Sequence, residues 1–304
     1  MFIKNALKVK NNLWRYGLGV LIIFIFTQLG SIPLIVAIFQ KVGLEGAAKL
    51  NPSNMMTVLE NNNLTFFYLL LSFVVGFIGF LIVIKFLHNQ SLKSVTTSRE
   101  STDFKRVFTA FISISAIILL NLLFSIYLNP DEYVFQFNLN DFVILFLIAI
   151  IFIPIQTSLE EYVFRGDIMQ GLGVFVKNRW FPLIFTSLSF GLLHLSNPEI
   201  DKIGNIIIIH YIVTGLFLGI ITLMDEGMEL ALGFHAGNNL LIALLVTADW
   251  TVFQTSSVFK YIGEPDVINQ TFFSLAVIYP LLLIYFSKKY QWTNWKEKLL
   301  GKIS

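Results

Sequence analysis

The stretch FVILFLIAIIFIPIQTSLEEYVFRGD, residues 142–167, decides how the rest of the chain is read. From Phe142 to Gln156 it carries no charge, as a membrane-spanning helix should. Just beyond Gln156 it places Glu160, Glu161 and Arg165, where the span should still be running and where charge is expensive. The composition settles the first half of the problem. Of 304 residues, 56% are hydrophobic and 13% charged, with 31 Phe, against about 25% charged residues in a soluble domain. With a mean hydropathy of +0.74, the chain reads as an all-α integral membrane protein.

A helix needs about 20 apolar residues to cross the hydrocarbon. Candidate segments fall near 17–40, 65–87, 107–128, 141–168, 180–196, 205–224, 230–248 and 271–287, which predicts a bundle of about eight transmembrane helices. The first run, Gly17 to Gln40, is too long for a signal-peptide core and is expected to stay as an anchor. With both termini cytoplasmic, the basic residues fall on the cytoplasmic side except Lys41, Lys49, Lys202 and Lys260. Trp14, Trp180, Trp250, Trp292 and Trp295 lie at or beyond segment ends, where amphipathic rings anchor. Gly215 and Gly219 form a small-xxx-small pair suited to close helix packing. Gly43 to Leu64 and Thr247 to Asn269 read as ordinary external loops. One membrane domain, 1–304, is expected, with the chemistry concentrated near 141–248.

A net charge of +2 excludes the concentrated basic patch of a nucleic-acid-binding protein. The absence of cysteine excludes disulfides, thiol catalysis and Cys-ligated metal. The expected partners are membrane lipid and a peptide or protein. The abundance of Lys, Ile, Asn and Phe suits an AT-rich bacterial genome, hence a bacterial cell membrane.

Three polar groupings sit inside the apolar runs. Glu161 and Arg165 share a helix face in the favourable acid-then-base order, while Glu160 lies about 100° around and is expected to stay free for chemistry. Phe190 and His194 share a second face, His235 and Asn239 a third. His210 has no spaced polar partner and is expected to be a core histidine; His88 falls at a helix end. Glu160 and His194 are equidistant from the turn near Lys177, so they can meet roughly 20–25 Å up each arm of a hairpin. His235 lies about 10 Å from the Asp225–Glu229 turn. If the hairpin projects into the cytosol, these depths converge on a polar site open toward the cytoplasm.

Such a set can hydrolyse an amide. A Glu and a His sharing a water can take its proton during attack on a carbonyl, while a His and an Asn amide can donate to the oxyanion. No metal is required, although Glu160, His194 and His235 form a His₂Glu set that zinc could use.

EEYVFR, FGLLH and HAGNN, in this order and within hydrophobic helices, resemble the three motifs of the CPBP family of intramembrane proteases, which holds the type II CAAX prenyl endopeptidases and their bacterial Abi relatives. The resemblance covers Glu160 to Asn239. It implies an eight-helix bundle with a chamber open to the cytosol, in which Glu160 and His194 activate water. It further implies that His235 and Asn239 form the oxyanion hole and that Glu161 and Arg165 support the site. Asn238 competes for the role of Asn239 on helical spacing alone. The alternatives are a catalytically silent relative acting as an immunity or partner-binding protein, and a proton-coupled transporter. Whether a substrate would be prenylated is not legible.

Overall fold

Each of the eight apolar runs forms a helix. In the computed structural model, which describes residues 1–50 and 52–303, these are α1 (Leu13–Ala47), α2 (Asn62–His88), α3 (Phe104–Leu128), α4 (Leu139–Val176), α5 (Trp180–Ser196), α6 (Ile207–Asp225), α7 (Glu229–Leu245) and α8 (Thr271–Lys289). All but α5 and α7 are long and apolar enough to cross a bilayer. This is a multi-pass, all-α membrane bundle.

The turns fall where the sequence puts them. Lys177, between α4 and α5, and Glu226, between α6 and α7, both adopt left-handed backbone angles that end a helix. The apolar cores of α2, α4 and α6 meet in a cluster that includes Phe80, Val83, Leu159, Met169 and Leu223. Gly215 brings α6 close to α5: a Cβ there would lie 3.0 Å from the Ser187 carbonyl oxygen. In α7, Gly233 and Gly237 share one face, and a Cβ on Gly233 would lie only 2.0 Å from the Val107 carbonyl oxygen of α3. That glycine face lets α3 approach, and helical geometry turns His235 to the other side.

The bundle has two distinct ends. At one, the chain termini and the basic loops interlock: Thr97 bridges Gly227 and Asn178 bridges Lys302. Asp225 accepts from Arg99 at 2.8 Å and from the indole of Trp292 at 3.0 Å, and it also pairs with Arg106. Trp292 is therefore buried against an acid and is no interfacial anchor. Trp14 and Trp180 are exposed, as interfacial rings should be.

At the opposite end the loops are not ordinary. β1 (Tyr133–Phe135), β2 (Val246–Thr247) and β3 (Phe259–Tyr261) form a small sheet in which β3 runs antiparallel to β1 and parallel to β2. Pairing ties the segment after α7 to the loop after α3. It also holds residues 246–253 over the end of the bundle, a role the expected external loop Thr247–Asn269 did not foresee. Helix α7, at 17 residues, is about 25 Å long, less than the roughly 30 Å hydrocarbon core. It and α5 stop short at this end, and that is where room for a cavity appears.

Candidate active site

A cavity of about 450 Å³ contains Gln156, Glu160, His194, His235, Asn238 and Asn239 in its wall. The three motif segments thus converge on one space, from α4, the end of α5, and α7. Glu161 and Arg165 stand behind it, both fully buried. Arg165 donates to Glu161 Oε1 at 2.9 Å and to the Gly215 carbonyl at 3.1 Å. Its guanidinium also lies 4.5 Å from the centroid of Phe190. Phe190 explains itself further: its carbonyl bonds His194 Nδ1 at 2.7 Å, and its ring lies 5.9 Å from that of His235. The helix widens into π-type turns over Tyr162–Ile168 directly after the paired glutamates, a distortion common at functional sites.

His235 joins the two acids. Its Nδ1–H donates to Glu161 Oε1 at 2.8 Å, which leaves Nε2 3.7 Å from Glu160 Oε2. Glu160 stands outside the Glu161–Arg165 pair, as its helical position led us to expect, but it is not without partners. The Gln156 amide, one turn earlier, donates to Glu160 Oε1, while its own carbonyl oxygen accepts from Asn239 at 3.1 Å. Asn239 Oδ1 in turn accepts from Asn238 at 3.1 Å. Asn239 has thus committed one amide hydrogen and keeps a second. The Glu160 side chain is 18% exposed, enough to be reached from the cavity.

Sequence reasoning missed several members. Gln156 carried a signal: an amide one helical turn before Glu160 at the end of an oily run. Tyr211 did not; its ring stacks on His194 with centroids 3.9 Å apart and planes at 19°. His210, expected in the core, lines the same cavity. His88, expected to need no explanation, is fully buried with Nε2 3.4 Å from Asp167 Oδ1. His194 and Glu160 face one cavity as the hairpin argument required, but they make no direct hydrogen bond.

The cavity lies toward one end of the bundle. The cavity reaches Asn197, Glu199 and Ile203 after α5, and Trp250, Val252 and Phe253 after α7, all at the end away from the termini. No residue of the loops that gather with the termini lines it. Cytoplasmic termini and a cytoplasmic mouth cannot both hold. The short α5 and α7 leave this space on the far side of the motif side chains from the Lys177 and Glu226 turns.

Among the described residues no group of three or more His, Cys, Asp or Glu side chains is placed to hold an ion. His235 Nδ1 is turned to Glu161 and His194 Nδ1 to the Phe190 carbonyl, so Nε2 is the ring atom each histidine keeps for a water or an ion.

Comparison with known proteins agrees with the geometry. Residues 138–241 match the family described as type II CAAX prenyl endopeptidase Rce1-like. Over those residues the chain is similar to that family. That family is one of peptidases, and its likeness to this chain reaches well back along α4 from the glutamates. The chain is also similar to the uncharacterized protein YyaK of Bacillus subtilis (strain 168), with 27% identity over 296 residues, covering 92% of this chain and 94% of that protein. No solved structure matches. The likeness of residues 138–241 to that family, within a membrane bundle, suggests a CAAX-type intramembrane protease acting on a peptide or protein.

Proposed function

We propose that the chain is an intramembrane endopeptidase that cleaves a peptide bond with a water activated by Glu160 and His194. The observation that carries this reading is the continuous chain of hydrogen bonds from Asn239 through Gln156 to Glu160, on the wall of a cavity shared with both histidines. In the reaction, Glu160 takes a proton as the water oxygen attacks the carbonyl carbon. Asn239, through its uncommitted amide hydrogen, and His235, protonated on both ring nitrogens so that Nε2–H donates while Nδ1–H stays on Glu161, stabilise the oxyanion. Collapse of the tetrahedral species breaks the C–N bond, and the proton passes to the leaving amine. Glu161 and Arg165 hold His235 and the helix in register. Gln156 is a positioning residue: it fixes the base and the oxyanion donor relative to each other.

In this reading the termini and most basic residues face the cytoplasm, and the chamber accepts substrate from the opposite side or from within the bilayer. Purified full-length chain in detergent, presented with a bank of quenched fluorogenic peptides, tests it. Glu160→Gln should lower turnover by roughly 10²–10⁴-fold, and Asn239→Ala should lower kcat by roughly 10²–10³-fold with little change in KM. Near-normal turnover by Glu160→Gln would sink the assignment. A pure KM effect at Asn239 would make it a substrate-positioning residue instead.

A further inference from the structure

The cavity has a second polar end that this chemistry does not use. Glu199 opens a short helix, Glu199–Ile203, beyond α5 and lines the same cavity as Glu160 and His194. It is 6% exposed, which is unusual for a glutamate outside a helix bundle core. Its Oε1 accepts the Val252 backbone N–H at 2.8 Å. Its Oε2 is buried and accepts no hydrogen bond. Lys202 and Lys260 of this end are committed elsewhere, Lys202 to Glu264 at 2.7 Å and Lys260 to Asp249 at 2.8 Å.

Tyr211 links Glu199 to the reacting groups. Its ring covers His194, and its hydroxyl accepts from the Asn197 amide at 3.5 Å, two positions before Glu199. Ile203, Ile207 and Phe253 supply apolar wall around this end. Glu199 lines this space with one carboxylate oxygen enclosed and lacking a donor, and a charged donor satisfies such a group best. The same oxygen repels a peptide's terminal carboxylate.

We propose that Glu199 is a substrate-binding residue that receives a basic side chain, Lys or Arg, of the peptide whose scissile bond lies at Glu160. The substrate class is therefore an apolar peptide segment carrying one basic residue near the cut. This rests on the peptidase reading of the cavity, and the test separates the two.

The probes are pairs of quenched fluorogenic peptides that differ at one position, Lys against norleucine, the neutral side chain of closest shape. Wild-type full-length chain should prefer the Lys member about tenfold or more in kcat/KM, mostly through KM. Glu199→Gln keeps an acceptor for Val252 and almost the same volume, so it removes charge without releasing the loop. In that variant the Lys-to-norleucine ratio should fall to about one. A ratio near one in wild type, or a ratio that survives Glu199→Gln, overturns the proposal. A free against an acetylated N-terminus serves as a third arm: discrimination there, with none at Lys, also overturns it.

If no peptide is cut, the peptidase reading fails on its own and binding still decides. Trp250 lines the cavity, so quenching of tryptophan fluorescence reports binding of the same peptides. Tighter binding of the Lys member that is lost in Glu199→Gln supports the cation site; equal binding of both members rejects it.

Discussion

The two ends of the bundle use buried carboxylates in opposite ways. At the termini, every oxygen of Asp225 and Glu229 accepts a bond, from Arg99, Arg106, Trp292 and the Asp103 amide. At the cavity end, Glu160 and Glu199 are held by a glutamine amide and a backbone N–H, with no Lys or Arg salt bridge to either. Arginine pairing consumes the chemistry of an acid: a bidentate, always-charged partner holds it ionised and in place. Neutral donors orient a carboxylate and leave its proton affinity and its remaining lone pairs available. Glu161 shares the arginine partner of the first kind although it sits beside Glu160, with Arg165 and His235 both on Oε1 and Oε2 accepting no bond. One helix thus carries a structural and a chemical glutamate in adjacent positions.

The sharpest way to break that distinction is to remove each glutamate in turn. Glu161→Ala strands Arg165, which is fully buried and has Glu161 as its anionic partner. Breaking one side of a buried pair costs about 3–5 kcal/mol. Glu160→Ala removes a partly exposed group whose donors can turn to the cavity, so it should cost clearly less. Thermal melts of both variants in detergent make the comparison. If Glu160→Ala proves the more destabilising, the two acids have been assigned the wrong way round.

How far this division was legible in the sequence depends on which contacts carry it. The Glu161–Arg165 pair and the face shared by His235 and Asn239 follow from helical spacing within one element, and both were readable. The turns at Lys177 and Glu226 followed from where the apolar runs stop. The eight helices came from hydrophobicity alone. Tyr211 and Glu199 were hidden because their partners lie on other elements, His194 on α5 and Val252 in the segment past α7; Gln156 was half legible, with Glu160 one turn along α4 but Asn239 on α7. The direction of the cavity was hidden for a different reason. It depends on α5 and α7 stopping short and on a three-stranded sheet whose strands come from loops, and no periodicity in those stretches announces either.

A smaller effect is expected at the termini. Asp225→Asn keeps an acceptor oxygen for Trp292 but gives up the charge that Arg99 and Arg106 share. Glu229 still holds Arg99 at 3.0 Å and Asp103 still holds Arg106 at 3.1 Å, so neither cation is left unpaired. The loss should be about 1–3 kcal/mol, with peptide turnover below the melting range unchanged. A variant that melts normally but has lost turnover would show that the closed end communicates with the cavity, and the comparison between the two ends would no longer hold.

The smallest effect is a pH dependence confined to Glu199, and it probes the cavity end without needing a substrate. Burial pushes the Glu199 carboxyl above its ordinary value, and the Val252 amide pulls it part of the way back. The folded chain therefore keeps this proton to a higher pH than the unfolded chain, whose glutamates titrate near about 4.3. Between those two values the native state binds more protons than the unfolded state, so its stability falls as pH rises. The contribution of Glu199 is fully present below the unfolded value and is lost as pH climbs through the folded one. Measuring Tm for wild type and Glu199→Gln from about pH 4 to about pH 8 and subtracting cancels every other group that titrates in both. The wild type should lose ground to the variant steadily across that window. Adding the Lys peptide should flatten the slope, because a bound cation stabilises the ionised carboxylate. A difference that stays constant with pH would mean the carboxyl titrates as it does in water. Its Oε2 would then be solvated, and the cavity would have no buried charge left for a substrate to satisfy.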